Sequence, residues 1–240
     1  MSEFDQTVAT LGTRGTPATG LTISRGDRAV LRRLAAEVAE LAARPIEQEK
    51  RELWYRHNAL ETTRPVIFCD PENSWNEIIP PSALECEGEL ARMWELHLRR
   101  EVFWGRQMGD DRVVAPTFDA PHVYTQKDWG MAGAKIGGQD GGSYVWDAPL
   151  KRYEDMDRLR FPEITVDYEA TERAAALAHD TLGDLLTVRL KTAWWWTLGM
   201  TWTLINLRGL GQMMLDMVDQ PQHLHQLMAL LRDGHLAKLD

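Results

Sequence analysis

Asp119 and His122 stand three residues apart in FDAPH, across an Ala-Pro step that turns the chain. A carboxylate ending an apolar run can accept a hydrogen bond from a substrate or carry a proton. The same residue type also caps a loop ahead of a turn proline, here Pro121. His122 reads equally as a base, a metal ligand or a loop histidine. Tyr124 and Asp128 follow within the same stretch. A second group of reactive types, Asp70, Glu72, Asn73 and Trp75, lies in CDPENSW, where turn chemistry also explains the acidic residues. The third stretch is TAWWWTLGMTW, with Trp194, Trp195, Trp196, Thr197, Gly199 and Trp202. Each indole has a large apolar face and one N–H in need of a partner, suiting a core, a membrane belt or the wall of a binding site.

Such groups work together only if the chain positions them. RPVIFCD (64–70), VVAPTFD (113–119) and LLTVRLKT (185–192) are short apolar runs bounded by turn signals, which predicts three strands. Helical spacing separates them. Val30, Leu31, Leu34, Val38 and Leu41 recur on one face of a helix that Ser24 and Asp27 open and Pro45 closes. IEQEKRELWYRHNAL predicts a second helix, LECEGELARMWELHLRREVFWGRQMGDD a long third, and residues 167–183 an alanine-rich fourth ending at Gly183. Further helices are predicted over 204–217 and from Pro221 onward. YTQKDWGMAGAKIGGQDGGSYVW, with six glycines, reads as a long functional loop.

Strands alternating with helices predict an α/β fold with parallel strands, whose ligand site lies beyond the strands' carboxyl ends, where the three reactive stretches would converge. Three βα units close no barrel, so the chain reads as the first part of a longer protein. Residues 1–22 read as a flexible tail, 23–63 as a helical extension and 64–240 as the first part of the main domain.

Composition narrows the classes. The 240 residues are 44% hydrophobic with a net charge of −9, a balance that points away from nucleic acid and anionic membrane as partners. Arg189, Lys191 and Arg208 interrupt the apolar window around the tryptophans, so no transmembrane helix is expected. Two cysteines, Cys69 and Cys86, and no signal-peptide pattern suggest reduced thiols and a cytoplasmic protein. Neither Cys-x-x-Cys nor His-Glu-x-x-His occurs, and His223 and His225, two apart on a helix, point to different faces. GGQDGG (137–142) lacks the spacing of a phosphate loop, and no Gly-x-Ser-x-Gly elbow is present.

LGMTWTL (198–204) resembles the Gly-Ala-Pro-Trp-Thr-Leu loop of the uroporphyrinogen decarboxylase superfamily. DMVDQP (216–221), with His225 and Leu227, resembles that family's Asp-Pro-Glu…His-x-Leu helix start. YEDMDRL (153–159) is similar to its Asp-x-Leu segment, and Val114 to Asp119 stands where the family has a strand ending Phe-Ser-Asp. The likeness runs over about residues 60–240. It implies a (β/α)8 TIM-barrel fold, incomplete in this chain, with N-terminal extra helices. The family divides into cofactor-free decarboxylases and zinc-dependent methyltransferases that exchange methyl groups with a corrinoid protein or coenzyme M.

In the decarboxylases an aspartate matching Asp119 holds pyrrole N–H groups. The family's Arg-x-Ala-Gly-Arg-Tyr stretch is replaced here by CDPENSWNEI, and a tyrosine after the Trp-Thr-Leu by Ile205-Asn206-Leu207. These departures remove the obvious partners of uroporphyrinogen's carboxylates, and the methyltransferase branch, whose substrates are smaller and suit a tryptophan-rich wall, is the closer likeness. The resemblance thus implies corrinoid-dependent methyl transfer from a small methylated substrate. Asp119 and His122 would be catalytic. Asp70, Glu72, Asn73, Trp75, Tyr124, Trp194, Trp195, Trp196, Thr197 and Gly199 would line the pocket. No cofactor is expected within the chain; zinc ligands would lie beyond residue 240, with a corrinoid protein as partner. The alternatives are a decarboxylase of uroporphyrinogen or another carboxylated compound, and a non-catalytic ligand-binding barrel.

Overall fold

Ser24 accepts a hydrogen bond from Asp27 N (3.0 Å) and opens helix α1 (Arg25–Ala42), whose Leu31, Leu34, Ala35, Val38 and Leu41 are buried. The computed structural model describes residues 20–138, 143–191 and 199–238. They fall into two units: 20–123 with 167–191, and 124–138 with 143–166 and 199–238. The Asp27 carboxylate does not simply complete a local cap. It accepts from the amides of Glu87 (2.8 Å) and Gly88 (3.4 Å), fixing the loop ahead of the helix that begins at Glu89.

In the first unit α1 is followed by α2 (Pro45–Asn58), the short α3 (Trp75–Ile78) and α4 (Glu89–Phe103), which continues into a π turn at Trp104–Met108. Strand β1 (Thr117–Ala120) and strand β6 (Thr187–Leu190) pair in parallel, with α5 (Tyr168–Leu182) leading into β6. One apolar core joins α1, α4, β1, α5 and β6: Leu31, Leu34 and Val38 of α1, Leu90, Trp94 and Leu98 of α4, Phe118 of β1, Leu182 of α5 and Val188 of β6. Each leucine fully buried there contributes about 1.5–3 kcal/mol.

The second unit contains β2 (Tyr124–Lys127) antiparallel to β5 (Glu163–Val166), and the hairpin of β3 (Ala134–Gly137) and β4 (Tyr144–Asp147). Three helices follow: α6 (Thr201–Arg208), α7 (Leu210–Asp219) and α8 (Pro221–Ala237). Leu204, Leu207, Leu224, Leu227 and Leu231 pack with Leu150, Tyr153 and Leu159 in its core. Gly209, at φ 85°, separates α6 from α7 within the single helix predicted over 204–217.

The (β/α)8 barrel expectation is overturned. Among the described residues there are six strands of four residues each, in three separate two-stranded sheets, and only β1–β6 is parallel. The glycine-rich stretch 124–146, predicted as a loop, supplies three of these strands and pairs antiparallel. The strand predicted over 64–70 is also absent, for a reason visible in its hydrogen bonds. Ile67 N donates to the Asp111 carboxylate (2.8 Å) and Cys69 N to that of Asp110 (3.0 Å), while Ile67 O accepts from Asp111 N. Side-chain oxygens occupy the amides a ladder would need, Pro65 has none to offer, and Ile67 and Phe68 stay exposed.

That arrangement responds to acid. The Arg64 guanidinium, followed by the Ile67 amide, holds the Asp111 carboxyl at about 2, below its ordinary 3.8. A depressed folded value contributes stability above pH 4 that is lost as pH falls toward 2. The expected result is a shift of the Ile67 amide resonance between pH 4 and 2, moved to higher pH in Arg64→Gln. A resonance unchanged across that range would refute the tether.

Candidate functional site

Parallel pairing brings the carboxyl ends of β1 and β6 side by side, with Asp119 in register with Arg189. Asp119 Oδ1 accepts from Arg189 Nε (2.7 Å) and lies 2.6 Å from Nη2; Oδ2 lies 3.5 Å from Lys191 Nζ. The strand ladder continues through Lys191 N, which donates to Ala120 O (3.0 Å) and seats the lysine beside the carboxylate. Side-chain exposures of 29% for Asp119, 45% for Arg189 and 59% for Lys191 place the group at the surface. Two cations around one carboxylate leave a positive excess at this strand end, although the chain carries −9 overall.

Behind the strand, Phe118 is buried between Trp94 and His97 of α4, at ring distances of 5.3 and 5.4 Å. Burial keeps the His97 imidazole below its usual range, against the pull of Glu101 and Asp119. His97 is therefore neutral at pH 7, and it lies within electrostatic reach of Asp119. His122 is partly buried just past β1, and Val123 is anchored by two hydrogen bonds to the start of α5: its N donates to Thr171 Oγ1 (2.9 Å) and its O accepts from Asp167 N (2.8 Å). The segment carrying Asp119 and His122 is thus fixed at both sides.

Asp70, Glu72 and Trp75 form a local turn. Asp70 Oδ1 accepts from Glu72 N (2.9 Å) and Trp75 Nε1 (3.1 Å), the Asx pattern that turn chemistry anticipates. Glu72 adopts φ 50°, a left-handed conformation uncommon for a non-glycine residue. Trp75 is buried, 5.0 Å from Trp104, with the Arg100 guanidinium 5.1 Å over its ring. Its indole therefore serves as core. Tyr124 begins β2 in the second unit, and Gly199 is exposed ahead of α6. Trp194, Trp195, Trp196, Thr197 and the Asn73 side chain lie outside the described residues. His223 stacks on Tyr153 at 5.0 Å.

The chain matches no protein-family model, no curated protein and no solved structure. The residues themselves carry the reading. Among the described residues no group of three His, Cys, Asp or Glu side chains could hold a metal ion. Also among them, no helix is long and apolar enough to cross a membrane. Cys69 is an exposed free thiol; Cys86 is buried, and burial followed by Glu95 pushes its thiol far up.

From sequence, Arg189 and Lys191 stand out only as charges interrupting an apolar window, and His97 does not stand out at all. The signal for the first two was a charged residue interrupting TVRLK, a strand otherwise apolar and β-branched. His97 sits on an amphipathic helix among arginines and glutamates, where nothing in its spacing distinguishes it.

Proposed function

We propose that the first unit binds a small carboxylated molecule bearing an N–H donor, at the carboxyl ends of β1 and β6. The observation carrying this reading is the grip of Arg189 and Lys191 on Asp119 at the end of a parallel strand pair. A guanidinium has five donors and an ammonium three, more than one carboxylate can absorb. A ligand carboxylate takes the surplus donors, and Asp119 accepts from the ligand's N–H. Arg189 and Lys191 thus provide cationic partners of the kind that CDPENSWNEI lacks.

Among the activities the resemblance implies, decarboxylation of a carboxylated compound suits this charge set. In such a reaction Asp119 would orient the N–H-bearing ring and the cations would hold a carboxylate. Methyl transfer draws on the Trp194–Trp196 wall, which lies outside the described residues, so no observation favours it.

Pyrrole-2-carboxylate is the simplest probe. Calorimetric titration is expected to show saturable binding, weaker for the N-methyl analogue and for the carboxamide. Asp119→Asn should erase the preference for N–H over N-methyl. Arg189→Gln combined with Lys191→Gln should erase the preference for carboxylate over carboxamide, a loss of about tenfold. Wild-type protein that fails to distinguish the three compounds overturns the proposal. Carbon dioxide release from the bound acid separates a decarboxylase from a binding protein.

A further inference from the structure

A groove of about 360 Å³ lies in the first unit between α1, α3 and α4, within the size range of small-molecule sites. Ile78, Ile79, Val102 and Phe103 are among its apolar lining residues. Its charged lining residues are Arg33, Arg99 and Arg106, with Glu37 the single carboxylate. Glu37 cannot balance them alone. It lies 2.9 Å from Arg106 Nη2 and 3.7 Å from Arg33 Nη1. Arg33 and Arg99 share Glu85, whose side chain is half exposed outside the groove. Glu95, beside Arg99, is fully buried and already accepts two backbone amides. Arg106 has Glu37 as its ion partner, through Nη2, and its side chain remains 53% exposed.

The geometry points to a binding site for a free medium-chain fatty acid, its carboxylate on Arg106 and Arg33 and its tail on Ile79, Val102 and Phe103. The pairing of surfaces decides the ligand class. A guanidinium fork matches a carboxylate in a bidentate manner, and an alkyl chain removes apolar surface from water along the groove. The groove's volume admits one such chain and excludes a peptide helix, whose diameter is about 10 Å. The site is independent of the Asp119 strand end and shares no residue with it.

Decanoate titrated into the full chain, followed by calorimetry, tests the site. One saturable site is expected, with decanol at least about tenfold weaker, which corresponds to about 1.4 kcal/mol. Arg106→Gln should weaken decanoate about tenfold and leave decanol unchanged. Val102→Trp, which fills the groove and keeps every charge, should block both. Arg189→Gln should bind decanoate as the wild type does, even if pyrrole-2-carboxylate binding is lost. The inference is overturned if decanoate does not saturate, if decanol binds equally well, if both groove variants bind normally, or if Arg189→Gln abolishes binding.

Discussion

Replacing Asp216 by alanine is expected to destabilise the second unit by about 3–5 kcal/mol, enough to unfold many domains. Asp216 and Arg208 have side-chain exposures of 0% and 3%. The carboxylate accepts from Arg208 Nε (2.7 Å) and Nη2 (3.1 Å), from Gln212 Nε2 (2.9 Å) and from Tyr153 Oη (2.7 Å). Arg208 also donates to the carbonyls of Leu150 (3.0 Å) and Lys151 (2.6 Å) and lies 4.4 Å over the Tyr153 ring. One buried pair therefore ties α6, α7 and the 150–153 segment together. Removing Asp216 leaves a guanidinium buried without its counter-charge, and that penalty, more than the lost attraction, sets the size of the effect.

Burial alone would raise the Asp216 carboxyl, but the donors from Arg208, Gln212 and Tyr153 outweigh it and hold it at about 2. Burial and Asp216 push the Tyr153 phenol up to about 12. The depressed carboxyl contributes stability above pH 4 that disappears as pH falls toward 2. Amide exchange over α6, α7 and α8 should become fast in Asp216→Ala, while the α1 and α4 segments keep their protection. Arg208→Met combined with Asp216→Leu should recover part of the stability, because the apolar pair strands no charge, although Tyr153 Oη and the carbonyls of Leu150 and Lys151 lose their partners. An Asp216→Ala protein with wild-type exchange over α6–α8 would show the network to be dispensable.

The same network shows what sequence could and could not convey. Helices α1, α5 and α8 were legible because their apolar residues recur at helical spacing behind recognisable starts: Ser24, the Asp167 side chain accepting from Ala170 N (2.9 Å), and Pro221. β1 and β6 were legible as short apolar runs. The barrel was not, because an apolar run does not reveal its partner: RPVIFCD has strand composition, but Asp110 and Asp111, more than forty residues away, take its amides. Asp119 could be read as a carboxylate at a strand end, whereas Arg189 reaches it only through a pairing 70 residues long. Buried acids were the least legible. Glu47, Glu95 and Asp216 have the spacing of solvated helix charges and are fully buried, each answering donors from elsewhere.

Glu95 carries the other large expected effect. Its Oε1 accepts from Glu85 N (2.8 Å) and Arg99 Nε (2.7 Å), and its Oε2 accepts from Cys86 N (2.8 Å). Glu95→Ala strands the buried Cys86 amide and opens a cavity in α4, together costing about 3–4 kcal/mol. Glu95→Gln keeps the volume but turns an NH2 group toward one of the donors, so a smaller loss of about 1–3 kcal/mol is expected. Cys86 provides a local readout. Its thiol is 1% exposed, and the charge of Glu95 adds to burial in keeping it protonated. With Cys69→Ser removing the exposed thiol, Cys86 should react slowly with a disulfide reagent in the parent, faster in Glu95→Gln and fastest in Glu95→Ala. The order follows from two changes acting together: release of the 84–88 loop admits the reagent, and loss of the carboxylate favours the thiolate that attacks it. Equal rates in all three proteins would mean that the loop is held by Asp27 and its amide contacts, with Glu95 adding nothing.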